Sequence, residues 1–121
     1  MTKTMSKPIY DLEERTVQYA KRVRLFVKKL TKTIANIEDS KQLVRASGSV
    51  GANYIEANES VSKKDFLMRM KICRKEAKES AFFIRLIKET NDEEYEKEAC
   101  ELYNEAVELK KIFSSIINKS I

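Results

Sequence analysis

Apolar residues recur along this chain in steps of three and four, in four separate runs. The first run carries Leu12, Thr16, Tyr19, Val23, Phe26 and Leu30. The second carries Leu43, Ser47, Val50, Tyr54 and Ala57. The third carries Phe66, Met70, Cys73, Ala77, Ser80, Ile84 and Ile87, and the fourth Tyr95, Ala99, Leu102, Ala106, Leu109, Phe113 and Ile116. A stripe at this spacing is the buried face of an amphipathic helix. Alternating threes and fours are the seam of helices packed at about 20°. Asp11 and Glu14 stand in capping-box spacing just after Pro8, and Ser62 with Asp65 repeats the signal. The pattern predicts helices over residues 11–33, 40–60, 63–89 and 92–118, in a single domain covering 1–121. Asn118 to Ile121 is expected to fray, and the first several residues read either as loose too or, at Ile9 and Tyr10, as packed against the bundle end. Short connections, the longest from Thr33 to Asp39, make sequential helices antiparallel neighbours. The expected fold is all-α, an antiparallel up-down-up-down four-helix bundle.

The chain's two glycines, Gly48 and Gly51, both fall inside the second helix. A glycine there costs about 0.5–1 kcal/mol relative to alanine. Close approach of a neighbouring backbone is the expected reason. The third helix has the opposite excess. Leu67, Phe82, Phe83 and Leu86 lie outside its strict seam, and they read either as a wide core stripe or as a surface that buries against another copy.

Charge is divided by segment. Up to Ile37 there are nine basic and three acidic side chains; from Val61 to Glu89 there are nine and four. The intervening stretch nets −2, and Thr90 to Ile121 nets −4, against +5 for the whole chain. On the first helix Lys21, Arg24, Lys28 and Lys32 form one stripe, with Arg22 and Lys29 beside it. On the third, Lys71, Arg74, Lys75, Lys78 and Arg85 cluster. Like charges one turn apart disfavour an isolated helix by about 0.2–0.5 kcal/mol per pair, so these stripes need anions. One source is a nucleic-acid backbone. The other is internal: Glu94, Glu98, Glu101, Glu105 and Glu108 of the fourth helix.

Composition narrows the chemistry. There is no histidine, which removes the commonest general base and metal ligand and the Glu-x-x-His pairs of bundle di-iron sites. Cys73 and Cys100 lack metal-ligand spacing and read as small buried hydrophobes. No glycine-rich phosphate loop is present. No apolar run approaches the ~18 residues of a membrane span, and the opening MTKTMSKP has no signal-peptide core. The expectation is a non-enzymatic, cytoplasmic protein with no catalytic residue, no metal, no cofactor and no membrane contact.

The most unusual polar set is Arg45, Ser49, Asn53 and Glu56, which share an arc of about 80° on the second helix. It reads as a hydrogen-bond network between helices or subunits, or else as a ligand or nucleic-acid contact made by Arg45 and Asn53.

The run Q-L-V-R-A-S-G-S-V-G-A-N-Y-I-E-A, followed by S-K-K-D-F and K-E-A-K-E-S, resembles the four-helix-bundle family encoded in intervening sequences of bacterial 23S ribosomal RNA genes. That family is similar to the accessory variability protein of diversity-generating retroelements. The resemblance extends to the P-I-Y-D-L-E start and covers most of the chain. Matching positions are Arg45, Ser49, Asn53, Glu56, Ser62, Asp65 and Phe66. Many relatives have Gly where this chain has Ala57, and Trp-Leu where it has Phe83-Ile84, which leaves the branch open. The resemblance implies a homo-oligomeric ring, a pentamer, with a positively charged surface. For the retroelement branch it implies a reverse transcriptase as partner. The combined expectation is an oligomeric basic adaptor that binds RNA or DNA through backbone charge, with Arg22, Arg24, Lys28, Lys29, Lys71, Arg74, Lys75 and Lys78 as phosphate contacts. The alternative is a protein-interaction scaffold without nucleic acid.

Overall fold

The computed structural model describes residues 11–121. Pro8, Ile9 and Tyr10, invoked above at the start of the first helix, lie outside them. The described residues form four helices and no strand: α1 (Leu12–Lys29), α2 (Ile34–Asn58), α3 (Lys63–Thr90) and α4 (Glu96–Ser120), the last preceded by a 3₁₀ turn at Glu93–Tyr95. Each of the first three helices begins on a side-chain cap. The Asp11 carboxylate accepts from the Glu14 amide at 2.9 Å, the Thr33 hydroxyl from the Asn36 amide at 3.1 Å, and the Ser62 hydroxyl from the Asp65 amide at 3.1 Å. Such a cap is worth about 1 kcal/mol.

Two boundaries differ from the sequence expectation. α1 stops at Lys29, where Leu30 turns extended, and α2 begins at Ile34 instead of near Ser40. The reason is the Thr33 cap together with Asn36. The Asn36 side-chain amide donates to the Thr31 carbonyl at 2.9 Å and exchanges two hydrogen bonds with the side-chain amide of Asn91, which caps the end of α3. This pair, buried on the Asn36 side and half-buried at Asn91, ties the α1–α2 connection to the α3–α4 connection. At the other end of the chain α4 runs on to Ser120, whose hydroxyl bonds back to the Ile116 carbonyl at 2.8 Å. Asn118 to Ser120 is therefore helical.

The seams converge on one core. Tyr19, Val23 and Phe26 of α1 meet Leu43 and Val50 of α2, Met70, Ile84 and Ile87 of α3, and Leu102, Leu109 and Phe113 of α4, all buried. The last seam residue is Ile117, not Ile116, because the step after Phe113 is four. α2 packs against α3 and α3 against α4 along their length; α1 leans mainly on α2 and only lightly on α4. At Gly51 a β-carbon would stand 2.8 Å from the Thr16 hydroxyl and 3.2 Å from its Cβ. The close neighbour is thus a side chain of α1, not its backbone. At Gly48 the nearest group is the end of the Arg24 guanidinium, at 3.1 Å from the same imagined atom.

Candidate nucleic-acid interface

The two basic stripes have different fates. On α1 the cations beside the stripe meet the acidic half of α4, while Lys21, Arg24, Lys28 and Lys32 of the stripe itself have no carboxylate within 4.0 Å among the described residues. Arg15 makes a two-pronged pair with Glu105 at 2.7 and 2.9 Å, Arg22 lies 3.6 Å from Glu101, and Lys29 lies 2.9 Å from Glu98. Glu105 holds the Arg15 guanidinium pKa above its ordinary value, mainly through that hydrogen bond. Arg24 folds back onto the Ala20 carbonyl at 3.0 Å. Lys28 stands on the rim of a different feature, an apolar groove of about 530 Å³ between the end of α1 and the start of α2, walled by Val27, Leu30, Ile37 and Val44.

On α3 the cations stay together. Lys71, Arg74, Lys75 and Lys78 line a shallow groove of about 420 Å³ with Lys110 and Ser114 of α4. Arg74 donates to the Ser114 hydroxyl at 3.5 Å, a long contact that leaves its charge uncompensated. Among the described residues none of these five cations has a carboxylate partner within 4.0 Å. Arg85, about two turns further along, is instead paired with Glu89 at 2.8 Å.

Lys110 and Ser114 are the residues that the sequence reading missed. All eight acidic residues of the fourth segment lie between Asp92 and Glu108; Lys110, Lys111 and Lys119 follow with none among them. Summing the segment to −4 hides that change of sign. A running charge along the helix would have revealed it.

The polar residues of α2 divide as well. Arg45 bridges to α3, pairing with Glu79 and reaching Glu76 at 3.5 Å. The Asn53 carbonyl oxygen accepts from Arg69 of α3 at 3.0 Å, and its amide donates to the Ser49 backbone carbonyl at 2.9 Å. Ser49 enters this set through that carbonyl, and Glu56 is exposed. The partners Arg69, Glu76 and Glu79 were not legible from α2 alone. Glu76 is only 7% exposed, so Arg45 supplies the charge that offsets the burial of its carboxylate.

No group of histidine, cysteine or acidic residues among those described is arranged to hold a metal ion, and no described helix is long and apolar enough to cross a membrane. Fold and surface define a small four-helix bundle whose charge is sorted by region. Residues 10–115 match the model of the 23S rRNA-intervening sequence protein family, and the chain belongs to that family. A similar solved structure is a crystal structure of a protein of unknown function from the S23 ribosomal protein family of Bacteroides thetaiotaomicron. It is 28% identical with a TM-score of 0.73, over 87% of this chain and 96% of that one. A comparison with curated proteins returns no match.

Proposed function

We propose that this protein is a non-enzymatic, homo-oligomeric bundle of the cytoplasm that binds RNA or DNA through backbone charge, and that the α3–α4 groove is where the phosphates sit. The observation that carries the reading is the unpaired cluster of Lys71, Arg74, Lys75, Lys78 and Lys110. Cations held together without carboxylates repel one another, and a polyanion relieves that repulsion while releasing its own counterions. On α1, Arg22 and Lys29 take a lesser part, since they already face glutamates. Contacts of this kind are sequence-tolerant.

The pairing order supports antiparallel packing of α1 and α4: partners on α1 rise from Arg15 to Lys29 as those on α4 fall from Glu105 to Glu98. Exposed apolar side chains on α2 and α3, among them Ile55 and Met68, support self-association. Membership in the family supports a ring, a pentamer, with a reverse transcriptase as partner if the chain belongs to the retroelement branch.

The test is a gel-shift titration in salt. With five cations engaged on a single strand, log K should fall by about 3.5 per decade of salt. Lys71→Glu/Lys75→Glu/Lys78→Glu should abolish binding without loss of helicity, whereas Lys29→Glu should leave most of it. Absence of any RNA or DNA binding by the wild type at low salt would overturn the reading in favour of a protein-interaction scaffold.

A further inference from the structure

Phe82 is the one large aromatic side chain among the described residues that stands mostly in solvent, at 56% exposure. Its ring is braced edge-on by Phe83, with centroids 5.1 Å apart and planes at 79°, and Phe83 is itself packed against the core. The ring therefore presents a flat apolar face from a fixed base. Its place on α3 is what gives it meaning. At about 100° per residue, Lys71, Lys75, Lys78 and Phe82 fall within an arc of about 60°, and all four are exposed. Lys78 is one turn from Phe82, about 6 Å along the axis, and Lys71 about 16 Å. The aromatic ring thus stands one turn beyond the groove lysines, on the same exposed stripe of α3.

From this we infer that Phe82 is a stacking platform for an unpaired base, so that the groove takes a single strand and not a duplex. The inference rests on the proposed nucleic-acid reading of the same groove. Lysines that track a backbone beside an aromatic that receives bases are the combination by which proteins hold single strands, because every base has a π-face whatever its sequence. In a duplex the bases are already stacked on one another, and Phe82 would meet only sugar and phosphate. The rival occupant of an exposed phenylalanine is a second copy of this chain. The surrounding charge opposes it: two copies meeting face to face at Phe82 would bring two sets of groove lysines together, and like charge across an interface is costly.

The experiment compares three polyanions at one salt concentration: a twenty-nucleotide oligo(dT), a twenty-base-pair duplex, and heparin as a backbone without bases. Phe82→Ala should weaken oligo(dT) binding by about fivefold or more and leave duplex and heparin binding within about twofold. Phe82→Trp should retain oligo(dT) affinity. Because the chain has no other tryptophan, its fluorescence should be quenched by oligo(dT) and not by heparin. Equal losses of Phe82→Ala on all three polyanions, or no loss on any, would overturn the stacking role and leave the groove reading standing. A drop in assembly mass for Phe82→Ala by light scattering would assign Phe82 to contact between copies and overturn it likewise. Failure of the wild type to bind any of the three would overturn the groove reading itself, and the stacking role with it.

Discussion

The two glycines of α2 look alike in sequence and face different neighbours. Gly51 lies under Thr16, a β-branched side chain whose hydroxyl is already committed to the Glu13 carbonyl at 2.7 Å. Thr16 is itself buried, so any shift presses on its neighbours in the core. Gly51→Ala should lower stability by about 1–3 kcal/mol through overpacking, and Thr16→Ala in the same chain should recover part of the loss. Gly48 faces only the tip of a long arginine, which can move. Gly48→Ala should therefore be neutral or stabilising by about 0.4–1 kcal/mol, since alanine narrows the unfolded ensemble. Denaturant melts of the three variants check this, and equal effects at the two positions would refute the assigned contacts. The cysteines differ in the same way. Burial pushes the Cys73 thiol up to about 12 from 9.0, while Cys100 is half-buried. A native chain at pH 8 should take up one alkylating group and an unfolded chain two. The unfolded Cys73 thiol ionises near its ordinary value and the folded one does not. Stability should therefore fall as pH rises from about 9 to about 12, and burial of the Tyr19 phenol acts in the same direction at alkaline pH. Cys73→Ala should flatten the lower part of that slope in a pH series of thermal melts.

At the scale of the helix, what was legible depended on whether burial followed the apolar stripe. α3 shows its seam and its cap in the sequence, and both stand where expected. The start of α2 breaks the rule. Ile34 and Ile37 are exposed at 85% and 39%, while the buried position of that turn is the polar Asn36. Apolar periodicity has no signal to give where an amide pair replaces hydrophobic contact. The same limit applies to the α2–α3 contact, because a salt bridge across helices leaves a trace in neither helix alone. Its worth can be measured. Arg45→Met should destabilise by about 1–3 kcal/mol by leaving the buried Glu76 carboxylate unpaired, and adding Glu76→Gln should return part of it. An unchanged melting temperature for Arg45→Met would mean that solvent already satisfies Glu76.

For the whole molecule, single cations were easier to read than their company. The α3 cluster was visible as a stripe. Which cations stay free depended on where α4 places its glutamates, and that is a property of the packed chain. The proposed assembly is a statement at this scale too. Light scattering at micromolar concentration should give a multiple of the 14.1 kDa chain, and a clean monomer would refute it.

The change of sign along α4, between Glu108 and Lys110, also shapes how the bundle meets another charged body. A polyanion drifting past is pushed from one half of that helix and drawn to the other, so the encounter is oriented before any contact forms. Steering of this kind acts on the rate of arrival and weakens steeply with ionic strength. Salt should therefore slow association far more than it hastens departure. Moving the boundary by Lys111→Glu, an exposed position that does not line the groove, should show first in stopped-flow association, as a slower approach to the same bound lifetime.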